Sequence, residues 1–181
     1  MESKEQQILE SAEKMVREGG YNAFSFRDIA KEVGIKSSSV HYHFPTKEDL
    51  GAAVANYYTD KFLTQLGDPE ELRASGKDPI QIYIELFETA LVQDKRMCLC
   101  GLLAAEVDGL PEKVANETKI FFNRNIEWLM KAYSLRGDCE TAEAKALHTI
   151  AILEGAMMVS NLMQDHHAFR KIVVTGLTQA P

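Results

Sequence analysis

Cysteine is scarce and its count is odd: three in 181 residues, at Cys98, Cys100 and Cys139. Cys98 and Cys100 are too close in a helical segment to pair comfortably. No second half completes the zinc-ligand pattern that "CLC" would begin, so no metal and no cofactor is expected. Reduced thiols in a reducing compartment fit better. A long hydrophobic run is also missing. The most apolar stretch, Ala144 to Met163, is interrupted by Lys145, His148, Glu154 and Asn161, groups that are costly in a bilayer, so no membrane partner is expected. The opening "MESKEQQILE" lacks the basic region and apolar run of a signal peptide, and a cytoplasmic protein is expected. Low-complexity tracts and the sustained alternation of a β-strand are absent. Positive charge is in deficit: 20 Lys and Arg stand against 27 Asp and Glu, a formal net charge of -7. That total argues weakly against a nucleic-acid partner, but the distribution of charge matters more.

What is present is helix. The 45% hydrophobic share suffices for a real core. Ile8, Ala12, Met15 and Val16 share one face of a first helix, which Gly19-Gly20 stops. Ser25 opens a second with "SFRD", a capping box in which Asp28 reaches back. Ile29, Ala30 and Val33 form its stripe, and Gly34 ends it. A short third helix runs through Val40 and Phe44 to Pro45. "TKED", Thr46 to Asp49, opens a fourth through Leu50, Val54, Tyr57 and Tyr58. "GDPEELRASGKDP", Gly67 to Pro79, has the residues of a connection. Further helices carry Ile80, Ile84, Phe87 and Leu91; "CLCGLLAAEV"; Phe122, Ile126, Leu129 and Tyr133; Ala144 to Met163; and finally Phe169, Ile172, Val173 and Leu177. The expected fold is all-α.

A two-turn helix, a glycine turn and another short helix describe a helix-turn-helix. Within "GIKSSSVHYHFPTKEDL", Gly34 to Leu50, the second of these helices has the character of a groove reader. Ser37, Ser38 and Ser39 are small and can donate or accept, which lets a backbone approach base edges in a major groove about 12 Å wide. Tyr42 lies near Ser38 and Ser39 on the helical wheel, where a phenol reaches phosphate. Thr46 and Lys47 sit at a helix N-terminus, an anion site. From Gly20 to Lys47 the bases Arg27, Lys31, Lys36 and Lys47 outnumber the acids Asp28 and Glu32. A basic face therefore fits on an acidic chain, and double-stranded DNA is the expected partner.

The stretch "FSFRDIAKEVGIKSSSVHYHFPTKEDL" resembles the DNA-binding region of TetR/AcrR-type transcriptional regulators, over roughly residues 5–58. The likeness rests on the Ser25 cap, Ile29-Ala30, Val33 to Ile35, Tyr42 to Phe44 and Lys47 to Leu50. It implies a homodimer with an N-terminal three-helix reader, residues 1–50, and a C-terminal helical effector-binding and dimerisation domain, residues 51–181. By position, Tyr42 and Lys47 would meet phosphate, Ser37, Ser38, Ser39 and His43 would face the groove or its rim, and Arg27 would touch backbone. Lys36 departs from the family's usual capping Ser or Thr, Ser38 from a common glycine, and His41 from a frequent aromatic. His41 is expected to be a packed neutral side chain.

The implied function is a ligand-responsive regulator, most simply a repressor that binds a palindromic operator as a dimer and is released by a small-molecule effector. Two copies place recognition helices about 34–36 Å apart. The two-sided apolar helix at Ala144–Met163 supplies an interface, with Gly155 and Ala156 permitting close approach. Pocket candidates are Phe87, Leu91, Met97, Phe121, Phe122, Trp128, Met157 and Met158, with Asn125 and Glu154, and also Glu106 and His148, as polar groups that punctuate apolar helices. "MCLCGLLAAEV" resembles a segment of family members that respond to electrophiles, which puts Cys98 forward as an alternative redox trigger. An enzyme would need His166-His167 in a polar loop after Asp165, or a Cys98–His148 dyad; neither converges convincingly. A protein-binding adaptor leaves the Ser37 to Lys47 pattern unexplained. No enzyme activity is expected.

Overall fold

The computed structural model describes residues 3–93 and 95–178. Every regular element among them is helical: α1 (Lys4–Gly19), α2 (Phe26–Val33), α3 (Ser37–His43), α4 (Lys47–Leu66), α5 (Pro69–Ala74), α6 (Pro79–Val92), α7 (Leu99–Ala105), α8 (Glu112–Ser134), α9 (Ala142–Met163) and α10 (His166–Thr178), with single 3-10 turns at Tyr21–Ala23 and Val107–Gly109. The chain forms two compact units. The first holds the described residues up to Phe62 together with Leu99–Phe122; the second holds Leu63–Cys98 and the residues from Asn123 on. Helices α4 and α8 each begin in the first and end in the second.

In the first unit, Ile8, Ala12 and Val16 of α1 are buried along with Ile29 of α2, Val40 of α3, Phe44, and Leu50 of α4. These are the positions at helical spacing on each segment, so the hydrophobic stripes account for the packing. Tyr58, Phe62 and Phe121 close the other end, with ring centroids 5.6 to 6.2 Å apart.

In the second unit, α6 and α9 lie together and α10 packs along α9. Helix α9 is long and apolar enough to cross a membrane by composition alone. Instead Ala146, Ile150, Leu153, Ala156 and Met157 are buried, while Leu147, Met158, Val159, Leu162 and Met163 are exposed. Ala156, expected at a partner-facing surface, thus lies on the inward flank.

Three local expectations need correction. The 67–79 connection contains α5, because Asp68 caps it by accepting from the amides of Glu70 and Glu71 and Pro69 supplies a ready first-turn residue. His166 and His167 begin α10 rather than a loop, with Asp165 accepting from the His167 amide at 2.9 Å. On α8 the buried stripe runs through Val114, Thr118, Phe121, Asn125 and Leu129, leaving Phe122 and Ile126 half-buried. The polar residues Thr118 and Asn125 disguise this register in the sequence.

Candidate nucleic-acid interface

The α2–α3 unit is built by its caps. The Ser25 hydroxyl accepts from the Asp28 amide at 3.2 Å and donates to the Asp28 carboxylate. The partner of Asp28 is therefore the hydroxyl, not the backbone N–H of a standard capping box. Thr46 repeats the arrangement, accepting from the Asp49 amide at 3.1 Å and donating to its carboxylate at 2.7 Å. Gly34 ends α2 in the left-handed region, at φ 72° and ψ 37°, with its own amide and that of Ile35 turned back onto the Ala30 carbonyl. A side chain with a Cβ is strained there, so the tight turn that aims α3 calls for glycine.

Val40 is fully buried and Phe44 nearly so, which pins one side of α3. The opposite side is open. Ser37 and Ser38 are exposed, Ser39 is half-buried, and Tyr42 keeps 85% of its surface. Lys36 begins α3 without any side-chain cap, as its departure from Ser or Thr implies. His41 is exposed, yet its ring rests edge-on against Phe26 at 4.5 Å. The His43 ring lies edge-on to Tyr42, with Nδ1 4.0 Å from Glu5. Arg27 is exposed on α2.

Lys47 is half-buried. Its ammonium stands 4.9 Å from the Tyr21 ring centroid and 4.7 Å from that of Phe24. Burial lowers its pKa from the usual lysine value. The two π faces hold the cation electrostatically while leaving its N–H donors available. Nearby acidity is engaged elsewhere: Glu32 takes Lys14 at 2.9 Å and Ser11 at 3.1 Å, and Asp49 takes Lys113 at 2.6 Å. The Lys113 and Thr46 hydrogen bonds hold the Asp49 carboxyl below its usual range.

The pocket candidates do not all come together. Phe87, Leu91, Met97, Asn125, Trp128, Glu154 and Met157 are buried in the second unit. Phe121 and Phe122 belong to the first, and Met158 faces outward on α9. Glu106 accepts from the Tyr21 amide, and His148 Nε2 donates to the Gly176 carbonyl at 2.9 Å, so both tie backbone. Sequence reasoning passed over Tyr83, which sits one turn before Phe87 in the α6 stripe. It is fully buried and its hydroxyl donates to Asn125 Oδ1 at 2.9 Å. Its ring lies 5.4 Å from those of both Phe87 and Trp128. Cys98 is buried just ahead of α7, not within it.

Residues 8–54 match the family model "Bacterial regulatory proteins, tetR family". The structure of a TetR transcriptional regulator from Legionella pneumophila is similar over 100% of this chain and 99% of its own, at 33% identity and a TM-score of 0.89. One from Agrobacterium tumefaciens, described as TetR family, is similar over 97% and 96%, at 30% identity and a TM-score of 0.81. Among curated proteins, the HTH-type transcriptional regulator YuxN of Bacillus subtilis is 36% identical over 152 residues, a match spanning 79% of this chain but only 50% of YuxN. The chain thus spans about half the length of the first curated relatives it matches.

Proposed function

This chain belongs to the TetR family of bacterial regulatory proteins, and from that premise we propose that it represses transcription by binding a palindromic operator as a homodimer in the cytoplasm. It is a DNA-binding transcriptional regulator and not an enzyme. In our reading residues 1–50 contact DNA and residues 51–181 take the effector and join the protomers. The observation that carries it is the open serine-rich side of α3, with Tyr42 85% exposed, followed by the half-buried Lys47 at the start of α4. Small hydroxyl residues admit the helix to the major groove, where base edges give specificity. In this reading Tyr42, Thr46, Lys47, Lys36 and Arg27 fix the register through phosphates.

The exposed apolar residues of α9, joined by Val174 of α10, support the dimer. A symmetric pair of such surfaces forms a four-helix contact. An effector in the second unit acts only by favouring one arrangement of the two readers over another. A Cys98 trigger is the weaker reading, since only 2% of the residue is exposed to an oxidant.

Genomic fragments retained by the purified protein are expected to share a palindrome, with affinity falling steeply as salt rises. If Tyr42→Ala together with Lys47→Ala leaves affinity for that palindrome unchanged, the proposed interface is wrong.

A further inference from the structure

Among the described residues, the second unit holds one buried acid that its own fold does not satisfy. Glu154 lies on the inward flank of α9, 9% exposed, and neither carboxylate oxygen has a partner at hydrogen-bonding distance; the Cys98 thiol, a weak donor, stands near enough to favour its charged form but does not satisfy it. Its surroundings are organised by Tyr83. That residue feels the charge of Glu154 and of Cys98, donates its hydroxyl to Asn125, and stacks at 5.4 Å against Phe87 and Trp128. A buried carboxylate therefore lies within the electrostatic reach of Tyr83, whose hydroxyl meets an amide and whose ring meets two further buried rings.

A buried polar group left unpaired is costly, and an unpaired ionised one much more so. Hydrophobic replacement of Glu154 would remove that cost, so the presence of an ionisable group on this buried face, where the other polar residues are the uncharged Thr149 and Ser160, calls for an external partner. The partner's chemistry follows from the donor set. A carboxylate oxygen only accepts once ionised, and aromatic faces attract positive charge. An anion is repelled, and a neutral hydrocarbon leaves the acid unsatisfied.

We infer that the Glu154–Tyr83–Asn125 centre takes an apolar monocation bearing an N–H, a protonated amine on a hydrocarbon body. The N–H donates to Glu154 while the hydrocarbon packs among Tyr83, Phe87 and Trp128. This rests on the reading of the second unit as the effector site and specifies the class of effector. Burial raises the Glu154 pKa from its usual value to about 7, against the influence of the Cys98 thiol. A fraction of the free protein therefore carries a proton there near neutrality, and that proton leaves as the cation arrives.

The test compares benzyldimethylammonium with isobutylbenzene, its uncharged isostere, and with phenylacetate, using the full chain. Trp128 is the chain's single tryptophan, so its fluorescence reports the site directly. The expected result is an affinity for the ammonium at least about tenfold above that for isobutylbenzene. Calorimetric heat should change with the ionisation enthalpy of the buffer, revealing proton release. Glu154→Gln, checked for a native circular dichroism spectrum, should lose both the preference and the proton release. Equal binding of ammonium and isostere, no binding of the ammonium, or unchanged behaviour of E154Q overturns the inference. An operator gel shift run with saturating ammonium separates the two ideas. Selective binding that leaves operator affinity unchanged upholds the ligand class and refutes the effector role.

Discussion

The carboxylate of Glu106 accepts the backbone N–H of Tyr21 at 3.1 Å, joining the end of α7 to the turn that follows α1. Gly20 makes the approach possible. It sits at φ 80°, and a Cβ there would collide with that same carboxylate. Gly20→Ala therefore meets both strain and overlap, and should cost roughly 1–3 kcal/mol. Glu106→Gln keeps the shape and weakens a charge-assisted hydrogen bond, costing about 1 kcal/mol. Urea denaturation of the two variants checks the order; a Gly20→Ala protein as stable as the parent removes the constraint.

Lys47 and Tyr42 should separate by salt dependence. Lys47→Met removes one cation from the proposed phosphate surface and should lower the slope of log affinity against log salt by about one. Tyr42→Phe removes a neutral donor, weakening binding without altering the slope. With 85% of Tyr42 exposed, its substitution should leave stability within about 0.5 kcal/mol. Gel shifts at several salt concentrations, alongside thermal melts, read both effects.

Glu154 gives the stability a pH dependence of definite sign. Its pKa is about 7 in the fold against 4.5 for the ordinary side chain. Between those values the folded state holds more protons than the unfolded, so stability falls as pH rises. The loss begins near the lower value and is complete above the upper one, amounting to about 3 kcal/mol. Denaturation midpoints of E154Q from acid to mildly alkaline pH should lack that decline; an identical decline in both proteins would assign it to another group.

Leu162 keeps 84% of its surface exposed at the end of α9. Leu162→Asp places a charge in the proposed protomer contact. Sedimentation should find the parent dimeric and the variant monomeric, with operator affinity reduced more than about tenfold. A monomeric parent refutes the dimer.

The α1–α4 region was legible because several local signals agree: hydroxyl caps at Ser25 and Thr46, a stop at Gly34, and stripes ending on Val40 and Phe44. Short-range chemistry sets those boundaries. Helix α5 was missed although Asp68-Pro69 is itself a start signal, because glycines and charges on either side mask six helical residues. The α8 register was missed because Asn125 is polar and buried, which is intelligible only once Tyr83, 42 positions away, supplies its partner. Phe121 and Phe122 fall in the first unit for a related reason: spacing identifies a buried face but not the residues it is buried against. The expected phosphate contact of Lys47 was visible as charge, while its aromatic seat required Tyr21 and Phe24 to fold back beneath it.

That seat has a consequence of its own. A surface lysine ordinarily wanders among rotamers inside a tight shell of water, and any ion it meets must wait for both to be surrendered. Clamped over two rings, Lys47 has made those concessions during folding, so an arriving phosphate would find a stationary, half-dried charge and lose little to ordering it.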